Sequence, residues 1–431
     1  MPLPPSVRGA GAARALAAAA LTITIALPVP ALAAPALAAE APLAVLRPFV
    51  ERILADHPRA ALAHASVEQA RADAELMGQP LHNPEIGYIG EHSRAGAGAE
   101  TGGTTATNLV ELSLTTDFGV KQAGRRAVGD RTVETAAAQA DDERLGLAAE
   151  AVAALARYQG AQARDRLAAR QEEATAAFLA LAEKLRRAGD SSAADLALAR
   201  LALAETRKLR SEARVALVRA REELRGLCGC APDEAPRLPE PPPPEPLLGD
   251  EASLSDSLPA VRAARARVEA ARADLRLAGD ERIPDPTFRL GGGRDGDATK
   301  ITFGVSVPLP VLNSGAARVG AAGRALGAAE AAEQKIRRAA QTELTASRAA
   351  AVEAWAGWQA WQSHGAPPAA QETALLQRLW VSGEMSATDY FVQLRETVRV
   401  AQQGADLWAE AWATLADALR AADRIDSAVG L

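Results

Sequence analysis

The chain has little of what most binding and catalytic proteins rely on. Of its 431 residues only two are cysteine, Cys228 and Cys230, which is too few for a disulfide scaffold. Aromatic residues make up 3% of the chain and histidine occurs five times. A formal net charge of −6 excludes the basic footprint of a nucleic-acid binder. No nucleophile–base pair, phosphate-binding loop or dinucleotide fingerprint occurs, so the sequence predicts no enzyme and no cofactor. Beyond the N-terminus no segment reaches the ~18 apolar residues of a spanning helix. If this chain enters a membrane, it does so as strands.

What is present is alanine, leucine, arginine and glutamate, the residues of long helices that pack closely through small side chains. Arg8 and Arg14 precede an apolar run from Ala15 to Leu27, and Ala31–Ala33 and Ala36–Ala38 follow. That order reads as a secretory signal over residues 1–39, cut near 33–39. No cysteine follows the cut, so nothing points to an N-terminal lipid.

One helical turn occurs twice. Arg186–Leu198 reads R-R-A-G-D-S-S-A-A-D-L-A-L and Trp380–Val392 reads W-V-S-G-E-M-S-A-T-D-Y-F-V. Gly189/Gly383, Asp190/Glu384, Ser192/Ser386, Asp195/Asp389 and Leu196/Tyr390 are each 194 positions apart. Each copy predicts a glycine ending one helix and a serine N-cap with aspartate three positions on.

Around these tips the chain repeats its order. Residues 40–230 form the first repeat: a helix interrupted at His57–Pro58, a hairpin over 84–116, a long helix, the turn at 186–195 and a descending helix. Ile86 and Tyr88 alternate with polar residues or glycine, as do Val110, Leu112 and Leu114. The long helix runs for about 65 residues, roughly 100 Å at ~1.5 Å per residue. That is far beyond the ~11–12 residues of an average helix, so it must lie in a coiled-coil-like assembly. Leu196, Leu203, Leu217 and Leu224 give the descending helix a seven-residue seam, interrupted by Arg210. A proline-rich extended linker occupies 231–257. The second repeat, 258–425, carries a hairpin over 286–308 and a turn at 380–389. A short tail, 426–431, ends the chain. Phe288 and Leu290, then Ile301, Phe303, Val305 and Val307, alternate as strands. The second long helix, unlike the first, is broken at Gly365-Ala366-Pro367-Pro368.

Four strands of this length suit a membrane barrel but cannot close one alone. Closure needs several chains. A soluble alternative, in which the strands cap a coiled coil, is equally compatible with the alternation.

N-P-E-I-G before the first strand, V-S-V-P-L-P after the fourth, the G-x-x-S-x-x-D turns and the duplication together resemble the TolC-like outer-membrane factors. The resemblance implies a mainly α fold with a small β part. Long duplicated helical hairpins would form a periplasmic α-barrel, and four strands per chain would join a trimeric transmembrane β-barrel. It further implies a homotrimer in outer-membrane lipid, a periplasmic adaptor at the tips and an inner-membrane pump of the RND type. The function implied is passive export in a tripartite efflux system. P-L-P-V-L-N-S-G (Pro308–Gly315) is similar to the CzcC-like branch that exports heavy-metal cations. The alternatives are a soluble periplasmic adaptor or scaffold, and the outer-membrane duct of type I protein secretion.

Gly189 and Gly383 end helices by their chemistry; the resemblance makes them adaptor contacts at the periplasmic mouth. Asp195 and Asp389 place charge favourably near helix N-termini. The resemblance makes them a gate, with Asp389 a ring of three carboxylates whose mutual repulsion would raise their pKa values and attract cations. Val392 stands where the family has a second ring. Arg186 and Arg187 are in range of Asp190 or Asp195. Cys228-Gly229-Cys230 reads as helix-end packing, with soft-metal binding the weaker reading. His57 and His64 share a helical face without carboxylate neighbours, so no metal is predicted. Trp355, Trp358, Trp361, Trp408 and Trp412 read as a packing stripe, and the resemblance places them at a mid-tunnel collar. Tyr88, Phe118, Phe288 and Phe303 are the candidate aromatic girdle.

Overall fold

The structure is a computed structural model that describes residues 43–94, 104–118, 120–189, 192–249, 257–366, 375–376, 378–380 and 382–431. The signal segment, the tip of the first hairpin loop, Asp190 and Pro367-Pro368 lie outside these residues.

After a short 3-10 turn, Ala44–Leu46, come α1 (Arg47–Asp56) and α2 (Pro58–Met77). Proline at the first position of α2 fits the helix start, and the His57 ring caps it by accepting from Arg59 N at 3.1 Å. Then follow β1 (Glu85–Arg94), β2 (Thr104–Thr115), α3 (Val120–Ala188) and α4 (Ala193–Cys228). A one-turn α5 (Glu245–Leu248) precedes α6 (Pro259–Asp280), β3 (Thr287–Asp295), β4 (Ala298–Ser306) and α7 (Ala316–His364). The chain closes with α8 (Ala387–Ala421) and α9 (Ile425–Val429). No helix among the described residues is long and apolar enough to cross a membrane.

The 69-residue α3 is the stave on which both halves lie, packing along α2 and α4 from its own half and along α6 and α8 from the other. Near its middle, Leu147 to Ala156 are almost fully buried except for Glu150, which pairs with Arg59. Alanine is required there because helices approach from all directions. Leu46, Val50, Ile53, Leu224, Leu344, Trp412 and Leu419 close this core, so both chain ends meet at mid-height. On α4 the seam leucines Leu203 and Leu224 are buried, and Arg210, which interrupts the seam, reaches Glu172 of α3 at 2.8 Å.

The proline-rich segment is extended, as expected, yet it is not a free spacer. It is a strap bound to the helices. Gln159 of α3 donates to Pro236 O (2.7 Å) and accepts from Leu238 N (3.1 Å). Trp412 and Trp355 donate their indole N–H groups to Pro239 O and Pro241 O, and Arg348 donates to Gly249 O. Leu238 and Leu248 are buried in the mid-height core. Indole N–H groups need partners when buried, and the strap carbonyls, unpaired by secondary structure, supply them.

Asp423, just past α8, holds φ of +54°. Burial lifts its carboxyl above the usual range, and Arg262 only partly draws it back. A raised folded-state pKa means the ionised form is penalised. That penalty is absent below the unfolded carboxylate pKa of ~3.9 and grows as pH rises through the folded value. Asparagine also tolerates the left-handed backbone. Asp423→Asn is therefore expected to raise the unfolding temperature at pH 7, with the gain shrinking toward pH 4. Thermal melts at both pH values check this, and a lower melting temperature at pH 7 would contradict it.

Candidate channel site

The four strands form one antiparallel sheet in the order β1-β2-β3-β4, so one edge of β1 and one of β4 are unpaired in the chain. Register sorts the side chains into two unlike faces. On one, Ile86, Leu112, Leu290 and Phe303 form a row. Above it stand Tyr88, Val110 and Ile301, and below it Leu114, Phe288 and Val305. Nearly all are exposed, Phe303 at 74% and Ile301 at 78%. The other face is mostly polar, with Ile89 and Leu109 paired on it. Glu85 and Ser113 lie beside Arg289, which reaches Glu111 at 3.5 Å, and Asp295 accepts from Thr107 (2.7 Å) and Lys300 (3.3 Å). A sheet wet on one face and apolar on the other, its apolar side largely exposed among the described residues, suits a barrel wall between lipid and lumen.

At the opposite end of the molecule the two tips share one local geometry. Gly189 (φ +88°) and Gly383 (φ +78°) are left-handed, with open space where a Cβ would stand. Glycine is needed there for its backbone, not for clearance. Beyond it Ser192 Oγ accepts from Asp195 N (3.0 Å), while the Asp195 carboxylate accepts from Ser192 N, a complete capping box. Ser386 and Asp389 repeat the cap at 3.1 Å. Both aspartates thus have a structural task already, through one carboxylate oxygen.

Above the tips lies a cluster that sequence reasoning missed. Phe178 of α3 is 1% exposed and sits 4.7 Å from Trp380, 5.5 Å from Tyr390 and 4.8 Å from Phe391, ring centre to ring centre. Leu196 packs beside them. Burial holds the Tyr390 phenol above its usual range, so it stays neutral. A chain with six Phe, three Tyr and six Trp puts four of them here, and they tie the first hairpin to the second. The signal was partial: the apolar residue after each tip aspartate, Leu196 or Tyr390, enters this cluster.

Residues 49–230 match the family model described as outer membrane efflux protein. That stretch is similar to the outer membrane efflux proteins. The chain's fold is that of the TolC-like channels. A membrane protein from Pseudomonas aeruginosa superposes with a TM-score of 0.73 at 20% identity, over 88% of this chain and 93% of that one. The CmeC outer membrane channel of Campylobacter jejuni gives 0.73 at 14% identity, over 89% and 86%. The outer membrane protein VceC of Vibrio cholerae gives 0.69 at 18% identity, over 88% and 95%. No curated protein matches the chain in sequence.

On that likeness the sheet is the part suited to an outer membrane and the long helices are the part suited to the periplasm. CmeC, to which the chain's fold is similar, is an outer membrane channel. Cys228 and Cys230 need correction: they form a disulfide, with Cα atoms 5.0 Å apart across the left-handed Gly229. The pair therefore presents no thiolates to a metal, and it fixes the turn at which α4 gives way to the strap. Among the described residues no group of three or more His, Cys, Asp or Glu could hold a metal ion. Trp358 and Trp361 stack at 5.2 Å, and Trp361 donates to Val400 O. The Trp361 ring fills the space where a Cβ on Gly404 would lie 2.1 Å away.

Proposed function

We propose that the protein is the outer-membrane exit duct of a tripartite efflux system. Three copies would pair β4 of one chain with β1 of the next. The helices would continue the barrel as a periplasmic tunnel, and the tips would meet a periplasmic adaptor served by an RND-type inner-membrane pump. The observation that carries this reading is the sheet, with an exposed apolar face and two open edges. In lipid each unpaired backbone group costs several kcal/mol, so the edges must find partners in other copies. Expression of the full-length precursor in a Gram-negative host, followed by fractionation, detergent extraction and light scattering, tests it. A trimer in the outer-membrane fraction is expected; a soluble periplasmic monomer would overturn it.

Asp195 and Asp389 would act at the closed end and Gly189 and Gly383 at the adaptor contact. Three copies would gather the Asp389 carboxylates, one turn before the apolar Val392. Asp195→Asn combined with Asp389→Asn would then remove charge and loosen both caps. Higher single-channel conductance in planar bilayers is expected, and an unchanged value would reject the gate. Heavy-metal cations as cargo rest on the resemblance of Pro308–Gly315; loss of metal tolerance on deleting the gene is the corresponding readout.

A further inference from the structure

The apolar face of the sheet is too short for a membrane. Within the paired strands it runs from Ile301 to Val305, four residues or about 13 Å of strand, which at a tilt of ~40° is about 10 Å of height. Barrels of this kind carry an apolar band ~25 Å tall. The band does not continue upward, because the next outward row is Gly90, Asn108, Arg294 and Thr299. Tyr88 marks that upper limit, its hydroxyl donating to Asn108 Oδ1 at 2.5 Å.

Downward the pattern persists past the last paired residue, Ser306. Ile301, Phe303, Val305, Val307, Leu309 and Val311 keep strict alternation, interleaved with Thr302, Gly304, Ser306, Pro308 and Pro310, and Leu312 follows. Leu309 is 77% exposed, Val311 81% and Leu312 100%. From Ile301 to Leu309 is eight residues, about 26 Å of extended chain or about 20 Å of height at the same tilt, before the tight turn from Leu309 O to Val311 N. That supplies most of the missing band.

The loop is also shaped to hold this position. Pro308 and Pro310 restrict the backbone, Val311 N donates to Leu309 O, and Gly315 N donates to Asn313 Oδ1. Arg282 donates to Ser314 O at the foot of the loop, where headgroup phosphates would lie. In the turn between β2 and α3, Phe118 takes the left-handed φ of +52°, uncommon for a non-glycine residue, and sets its ring 6.3 Å from Phe288 at 73% exposure.

We propose that Val307–Leu312 and Phe118 form the lower part of the hydrophobic band and insert among the phospholipid acyl chains of the periplasmic leaflet. The inference rests on the outer-membrane reading. It assigns these residues a lipid contact beyond the strands.

The test uses tryptophan as a reporter, because all six native tryptophans lie between residues 355 and 412, in the helical part. Full-length protein carrying Leu312→Trp or Phe303→Trp is reconstituted into phosphatidylethanolamine–phosphatidylglycerol vesicles with brominated acyl chains. Both variants are expected to lose most of the emission added by the new ring, whereas the unmodified protein keeps its own. If Phe303→Trp is quenched and Leu312→Trp is not, the proposal fails while the membrane reading stands. Aqueous iodide then says whether Leu312 faces water or is covered by a second copy of the chain. If neither variant is quenched, the barrel reading itself fails.

Discussion

Arginine in place of Phe303 is expected to abolish recovery of the protein from the outer membrane, while arginine at the adjacent Thr302 leaves it nearly intact. Phe303 lies opposite Leu290 in the middle apolar row and is 74% exposed. A basic side chain on the lipid-facing side costs up to ~2–4 kcal/mol at the bilayer midplane and less toward the interfaces, so three copies cost at most roughly 6–12 kcal/mol per assembly. That is comparable to the whole net stability of a typical domain, ~5–15 kcal/mol. Thr302 faces the opposite way, toward Gly291 in register and the wet side that carries Glu111. There a cation gains a carboxylate neighbour and keeps water. Trimer yield in the outer-membrane fraction measures the difference. Equal yields for the two variants would mean that the faces have been assigned the wrong way round.

The second large effect is expected from Phe178→Ala. The ring is fully buried among Trp380, Tyr390 and Phe391, and truncating a buried phenylalanine costs ~3–5 kcal/mol. Phe178 lies on α3 and its partners lie around the second tip, so the loss falls on the join between the hairpins. Amide exchange at the start of α8 should quicken markedly, and single-channel conductance should rise. Phe178→Leu, which keeps much of the volume, should restore most of the protection. These variants should respond alike at pH 5 and pH 8, because the Tyr390 phenol is held neutral by burial. Protection in α8 unaffected by Phe178→Ala would rule out the cluster as the tie.

Much of this molecule is legible in its sequence because the signals are local. Alternation at Val110–Leu114 and Ile301–Val307 gives strands directly, since side chains switch faces at every residue. The tips are legible because a glycine, a serine cap and an aspartate three residues later act within a single turn. What escapes is what depends on distant partners. Phe178 is a lone aromatic in an alanine-rich helix, and only folding brings it to Trp380, two hundred positions on. Pro236–Pro241 has the composition of a spacer; its attachment depends on indoles at 355 and 412 whose spacing announces only a packed helix face. The disulfide is hidden for a different reason: bridges across one intervening residue are uncommon, and nothing in the pair itself separates packing from bonding. Leu309, Val311 and Leu312 lie past the strand end, where alternation interrupted by prolines reads as a loop.

The strap has a consequence for how the protein is made. Its carbonyls are held by Gln159 on one side of the chain order and by Arg348, Trp355 and Trp412 on the other. From Pro241 to Trp412 is 171 positions, roughly 10–30 s of synthesis at ~5–20 residues per second. Throughout that interval the alanine-packed middle of α3 lacks its last cover, and Gln159 is the one named partner of the strap in place from the start. The middle of α3 is therefore fully covered only once the C-terminal helix is in place, and chains cut short before Trp412 are expected to be less stable than the whole.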